Sequence, residues 1–267
     1  MSLTHFQHFT AHLLHFEVVV REAIYCHFLH GNVVGYVTSP KIAANKVSLG
    51  TTPFSSTGSD MIKIQDMVVP SVAAVPYKDR NTKALQLQVW NGTGYDLYYY
   101  LSDAYVEDND SEVTGWADRN GDFADVEIAP GTGYWYKYPT AESTYTLPGQ
   151  VLSAASVSKN VYASKLNLVG NPYPLALDLA KVTTSVAAVP YKDRNTKALQ
   201  LQIWNGTGYD LCYYLSDAYI EDDDSEVTGW ADRNGDFIQD LDVDITAGLW
   251  AKSLNGDGTI TFFKDAQ

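Results

Sequence analysis

Leu85, Leu87 and Val89 alternate with Gln86, Gln88 and Trp90. This is the period-two pattern of a strand with one face in a core and the other toward water. Asn91-Gly-Thr-Gly94 follows, and these residues accept the backbone angles of a tight turn. Residues 95–101 then resume as a second, aromatic strand, so the stretch reads as a β-hairpin with a four-residue turn. Residues 83–87 have some helix propensity, but the alternation outweighs that weak preference. Residues 126–128, 134–138 and 144–147 read as further short strands, the first two separated by Pro130-Gly-Thr-Gly133. Short strands at about ten-residue spacing, with turn signals between them, predict a sandwich- or barrel-like module.

The pattern occurs twice. Residues 71–123 recur as residues 185–237, at an offset of 114, with four differences: Val89/Ile203, Tyr98/Cys212, Val106/Ile220 and Asn109/Asp223. The flanks are related but far more diverged. LGTTPF from Leu49 resembles LVGNPYP from Leu168, PGTGYWYK from Pro130 resembles ITAGLWAK from Ile245, and STYTL from Ser143 matches GTITF from Gly258. A nearly identical middle between diverged flanks points to recent copying or gene conversion, so identity within the middle says little about which residues matter. The predicted fold class is all-β: two tandem β-sandwich-like modules with an N-terminal helical or disordered extension. The expected boundaries are 1–31 for the extension, 32–148 for the first module and 149–267 for the second. Strand exchange between such similar neighbours, within one chain or as domain-swapped self-association, is the alternative arrangement.

The N-terminal stretch differs in kind. Thr4 and Gln7 have capping-box spacing, and Gly31 is placed to end a helix. All six histidines lie here: His5, His8, His12, His15, His27 and His30. The first four would share one face of a helix, and imidazoles so spaced can ligate zinc or nickel. No acid or cysteine is interleaved on that face, so a His- and Phe-rich interfacial segment is the simpler reading. Because the modules contain no histidine, they cannot hold a Ser-His-Asp or Cys-His site.

Charge narrows the partners. The formal net charge is −14, which repels nucleic acid and anionic membrane surfaces. No run of uncharged apolar residues is long enough to span a bilayer as a helix. The two cysteines, Cys26 and Cys212, fall at non-equivalent places, so no disulfide framework is expected.

Several phrases occur together: Val33-Val-Gly-Tyr-Val37, Leu168-Val-Gly-Asn-Pro172, a Trp-Asn-Gly-x-Gly-Tyr hairpin in each copy, and a run from Gly-Trp-x-Asp to Gly-x-Trp-x-Lys. In these the chain resembles uncharacterised secreted or envelope β-proteins of the Verrucomicrobia–Planctomycetes group, in which a VGYV segment closely follows a signal peptide. The resemblance covers residues 32–267. It implies an all-β fold and an extracellular or cell-envelope location, and it brings no activity. The chain departs from that pattern in residues 1–30, which stand where the signal peptide should be.

Three features carry candidate chemistry. Asp118, Asn120 and Asp122, repeated as Asp232, Asn234 and Asp236, place side-chain oxygens at alternate positions, as calcium loops do. The glycine stands at the fourth place rather than the sixth, and no glutamate closes the loop, so a hairpin turn on Asn-Gly competes with Ca2+ binding. The acidic runs at residues 107–112 and 221–226 are solvated loops or weak cation sites. If Leu85, Leu87 and Val89 fill the core, Trp90 and Trp204 face outward beside Tyr95 and Tyr99, and Tyr209 and Tyr213, where flat rings can stack on sugars; the competing reading is that both sheet faces are covered and these rings are core or inter-module packing. Trp116 and Trp135 are expected in the core. No cofactor other than that calcium is expected. The leading function class is therefore a non-enzymatic structural or adhesive protein, with a glycan or a surface protein as partner. A carbohydrate-binding module built on Trp90 and Trp204 is second, and a glycoside-active enzyme with paired carboxylates is third.

Overall fold

The hairpin is where the fold becomes legible. Val89 and Leu87 lie opposite Asp96 and Tyr98, and Trp90 lies opposite Tyr95, so Leu87, Val89 and Tyr98 turn to the core while Trp90 and Tyr95 share the other face. The same register recurs from Trp204 opposite Tyr209. The computed structural model describes residues 15–16, 25–29, 32–38, 47–56, 59–67, 72–137, 146–204, 208–239, 241–243 and 247–264. The chain is all-β, with two tandem β-sandwich-like modules.

The strands of the first half are β1 (His15–Phe16), β2 (Tyr25–Leu29), β3 (Asn32–Thr38), β4 (Val47–Thr51), β5 (Ile62–Lys63), β6 (Gln86–Trp90), β7 (Tyr95–Val106), β8 (Ser111–Ala117), β9 (Glu127–Ile128), β10 (Gly133–Lys137) and β11 (Thr146–Gln150). Those of the second are β12 (Ser156–Val161), β13 (Leu166–Gly170), β14 (Leu177–Asp178), β15 (Thr183–Thr184), β16 (Leu199–Trp204), β17 (Tyr209–Ile220), β18 (Ser225–Ala231), β19 (Asp242–Val243), β20 (Gly248–Ser253) and β21 (Gly258–Phe263). Each module has a five-stranded antiparallel sheet, ordered β4-β10-β6-β7-β8 and β13-β20-β16-β17-β18. Each has a second layer, β3 with β11 and β5 with β9 in the first, β12-β21-β15 and β14 with β19 in the second.

Between the layers lies the main core. In module 1, Leu87, Val89, Tyr134 and Tyr136 of the large sheet pack with Phe54, Ile62, Ile128 and Leu147. In module 2, Leu201, Ile203, Leu249 and Ala251 pack with Leu177, Val243, Ile260 and Phe262. Among the described residues, the fully buried members of each core come from its own module. Trp116 and Trp230 are both 1% exposed, and each satisfies its indole N–H on a main-chain carbonyl, Met67 at 3.2 Å and Val182 at 2.8 Å. The sequence reading placed Trp116 in the core, and it is there.

The opposite face of each large sheet is half covered. Residues 72–84 fold back over Tyr99, Leu101, Ala104 and Ala117 to make a small second core, and Val189 and Ala198 do the same over Tyr213, Leu215, Ala218 and Ala231. The other half stays open to the neighbouring module.

Two expectations need correction. The N-terminal stretch was read as a helix or a disordered extension, yet His15–Phe16 and Tyr25–Leu29 are strands, and the second pairs with Asn32–Thr38 as a hairpin. Residues 1–14, 17–24 and 30–31, with His5, His8, His12 and His30, lie outside the described residues. Strand β11 also runs past the boundary drawn at residue 148, to Gln150. A period-3.6 reading of a His/Phe-rich stretch cannot anticipate that a neighbouring strand will template it into a sheet.

The modules dock through a reciprocal seam. Gly50 bridges Ala247, and Val169 bridges Thr132, so each sheet's edge strand, β4 or β13, meets the chain just before β20 or β10 of the other module. The packing is equally reciprocal. A Cβ on Gly248 would come within 2.6 Å of Leu49 Cγ, and one on Gly133 would collide with Leu168. This is the geometry of an isologous two-fold interface within one chain. Lys159 reaches across it, with Nζ 3.5 Å from Thr132 Oγ1.

Two predictions follow from this seam. Gly133→Ala should cost about 1–3 kcal/mol in urea unfolding, as overpacking does. In a Leu168→Ala background the same change should cost at least about 1 kcal/mol less, because the double-mutant cycle removes the shared contact. Burial pulls the Lys159 ammonium down from 10.5 to about 8. Below pH 8 both folded and unfolded chains carry this charge, and the fold bears the full desolvation cost. Between pH 8 and 10.5 the native chain sheds a proton the unfolded chain keeps, so this residue's contribution to stability rises with pH. The gain should be up to about 1 kcal/mol, muted by the solvent-facing part of the side chain, and Lys159→Met should abolish it in urea midpoints measured across that window.

Candidate functional site

On the open half of each large sheet the outward positions are aromatic and amide. In module 1, β6 presents Gln88 and Trp90, β7 presents Tyr95, and β10 presents Trp135, with Trp135 opposite Gln88 and Trp90 opposite Tyr95. Module 2 repeats this with Gln202, Trp204, Tyr209 and Trp250. Trp204 is 45% exposed and the other five rings are half-buried. Trp90 and Trp204 thus face outward, as the alternation predicts.

Trp135 is the correction. It was expected in the core, but Tyr134 and Tyr136 take the inward positions and Trp135 points out. The run Gly-Tyr-Trp-Tyr-Lys is aromatic on both faces, so alternation of polarity cannot say which face is buried.

The outward rings form one group across the seam. Trp135 meets Trp250 with centroids 5.9 Å apart and planes inclined by 54°. Trp90 packs on Tyr95 at 5.2 Å and 62°, and Trp204 on Tyr209 at 5.1 Å and 64°. The Trp135 indole N–H donates to Tyr95 Oη at 3.0 Å. Burial pushes the Tyr95 phenol up, and the nearby Tyr209 adds to that rise. Edge-to-face and tilted rings of this kind hold each other at fixed angles. The result is an aromatic platform of Trp90, Tyr95, Trp135, Trp250, Tyr209 and Trp204, assembled from both modules. Sequence spacing could not show that the two sets meet.

Tyr99 and Tyr213 were proposed beside this surface and do not join it. They are 5% and 4% exposed under the small cores, with hydroxyls on Asn81 Oδ1 at 3.0 Å and Asn195 Oδ1 at 3.3 Å. Outward alternation puts them on the right face, but residues 72–84 and their counterparts cover that end of it.

The Asp118 and Asp232 loops are tight turns. Asp118 Oδ1 accepts the main-chain N–H groups of Asn120, Gly121 and Asp122 at 2.7, 3.1 and 3.0 Å, and Asn120 Nδ2 donates to Oδ2 at 3.2 Å. Asp232 repeats the pattern with Asn234, Gly235 and Asp236. Gly121 has φ +96° and lies against the Tyr77 ring, where a side chain would be doubly opposed. Among the described residues no three His, Cys, Asp or Glu side chains converge as a metal group would. The acidic run at residues 107–112 is the tip between β7 and β8, with Asp110 left-handed at φ 50° and its carboxylate accepting Tyr105 Oη–H at 2.6 Å.

An open groove of about 840 Å3 in module 2 is lined by residues 208–212, the Asp232–Asn234 turn, Ile238 and Leu241. Asp210 and Asp232 line it. Cys212 at its base is buried, which pushes its thiol up to about 12 and keeps it from acting as a thiolate. No helix among the described residues is long and apolar enough to cross a membrane. No family model, curated protein or solved structure matches the chain.

The turn geometry yields a test. Asp118→Asn keeps an oxygen acceptor and should cost under about 1 kcal/mol, whereas Asp118→Ala leaves three N–H donors without it and should cost about 1–3 kcal/mol. Thermal unfolding with calcium and with a chelator should be superimposable for the parent. A calcium-dependent rise in midpoint that both variants lose would instead make the loop a cation site.

Proposed function

We propose that the protein is a non-enzymatic, adhesive glycan-binding protein of the cell exterior or envelope, and that the platform spanning its two modules is the binding surface. The observation that carries this is the meeting of six outward-facing aromatic rings across the module seam, centred on Trp135 and Trp250. Sugar rings present apolar C–H faces to such rings, and hydroxyls that bond to amides such as Gln88 and Gln202. Contiguous exposed apolar patches rimmed by polar groups mark interaction sites. Glycoside cleavage would need two carboxylates flanking the sugar, and the outward positions here offer indoles, phenols and amides. The location rests on the motifs shared with secreted and envelope β-proteins.

The test is affinity electrophoresis of the full chain on a panel of soluble polysaccharides. Retention by at least one is expected. Trp90→Ala with Trp204→Ala should weaken it roughly thirty-fold, since each stacked ring is worth on the order of 1 kcal/mol, with an unchanged circular dichroism spectrum. Full retention by the double variant, or no retention of the parent on any glycan, would overturn this reading and turn the search to protein partners.

A further inference from the structure

The platform lies on an acidic protein, yet no acid stands at an outward position of β4, β10, β6 or the first turn-proximal half of β7, nor at the equivalents in module 2. With 32 acids in the chain against 18 bases, this face is set apart. Asp96 and Asp210, the acids closest along the hairpins, pair with Val89 and Ile203 and so lie on the opposite face. Among the described residues, the charges at the outward positions of these strands are Lys137 and Lys252, each two residues beyond its tryptophan and therefore about 7 Å along the same side of the strand.

Comparison of the two copies shows what is kept. In the diverged flanks, β10 reads Gly-Tyr-Trp-Tyr-Lys and β20 begins Gly-Leu-Trp-Ala-Lys. The inward residues have changed, Tyr134 to Leu249 and Tyr136 to Ala251, while the three outward residues are the same. Two of those have packing duties already described: the glycines receive Leu168 and Leu49, and the tryptophans meet each other. The lysines are half-buried, and no such contact accounts for their charged ends. Neither has an ion-pair or hydrogen-bond partner among the described residues. Retention of an unpartnered cation beside a retained aromatic, while the core residues between them drift, calls for something outside the chain.

Resting on the glycan-binding reading, we infer that the ligand is an acidic glycan: a single soluble chain bearing uronic-acid carboxylates, stacked on the Trp135–Trp250 pair and held by Lys137 and Lys252. Charge complementarity selects the class, because a carboxylated chain is repelled by most of this surface and admitted at this face. Ring geometry selects a single chain. Planes inclined by 54° to 64° cannot lie together on the flat face of a crystalline polysaccharide, but they can follow the twist of one strand in solution.

The experiment uses the full chain, polygalacturonate and alginate as probes, and the methyl-esterified form of each, which keeps the backbone and removes the charge. Retention is expected on the acid forms, with about a tenfold loss of affinity on esterification and a similar loss in Lys137→Gln/Lys252→Gln, whose thermal midpoint should match the parent. Raising the salt to 0.5 M should weaken the parent more than the lysine variant (screening acts within about 10 Å or less). Equal retention on acid and ester forms, or an unaltered lysine variant, overturns the acidic-ligand inference and leaves the glycan platform standing. Retention on neutral glycans alone does the same. Retention on no glycan overturns both.

Discussion

The architecture depends on one steric constraint: a leucine of each edge strand fits only where the other module has no side chain. Leu49 enters the space over Gly248, and Leu168 that over Gly133. Any Cβ at either glycine would hold the modules apart. With the glycines in place, β4 and β13, which would otherwise be unpaired sheet edges, cover each other. Exposed edges are the usual route by which β-proteins aggregate, so a single contact both protects two edges and sets the angle between modules. It also brings Trp135 and Trp250 together, since each tryptophan stands two residues from its glycine on the same face. The platform is thus a consequence of edge protection, not a separate construction.

Much of this was legible from the chain alone. The duplication, the hairpins and the outward direction of Trp90 follow from period-two alternation, because Leu87 and Val89 are unambiguous and the glutamines between them are polar. Trp116 is in the core as expected, although β8, the strand that carries it there, was not among the strands the alternation picked out. The failures have physical causes. At Gly133-Tyr-Trp-Tyr-Lys137 both faces are aromatic, so polarity carries no phase. Gly133 itself was absorbed into a turn signal, although a glycine inside a strand often marks close approach of another backbone or side chain. That is the signal that would have found the seam. Tyr99 was placed on the right face but the wrong side of a cover, because strand periodicity does not show where a preceding loop folds back.

The near-identity of residues 71–123 and 185–237 hides as much as it shows. Trp90, Tyr95 and the Asp118 turn are all inside it, and each would match its partner whatever its role. The turn illustrates the point. Its acids and its Asn-Gly are explained by Oδ1 of Asp118 collecting three N–H groups, a local device that needs no ligand. Information about function lies in the flanks, where the copies have had freedom to differ.

In those flanks the pattern of change is the reverse of what packing alone would leave. Core residues ordinarily resist change because a methylene gained or lost is felt by every neighbour. Here Tyr136 of β10 has become Ala251 of β20, both fully buried, so the two cores have been repacked while the three outward positions of this one strand, Gly, Trp and Lys, stayed constant. A surface lysine contributes little to a fold and should be the first residue to drift. Lys137 and Lys252 have outlasted the tyrosines beside them, and they did so among described outward strand positions that hold no acid, next to a pair of indoles that only the assembled two-module structure brings into contact. Selection for the fold does not explain that combination; the binding role proposed for the platform does.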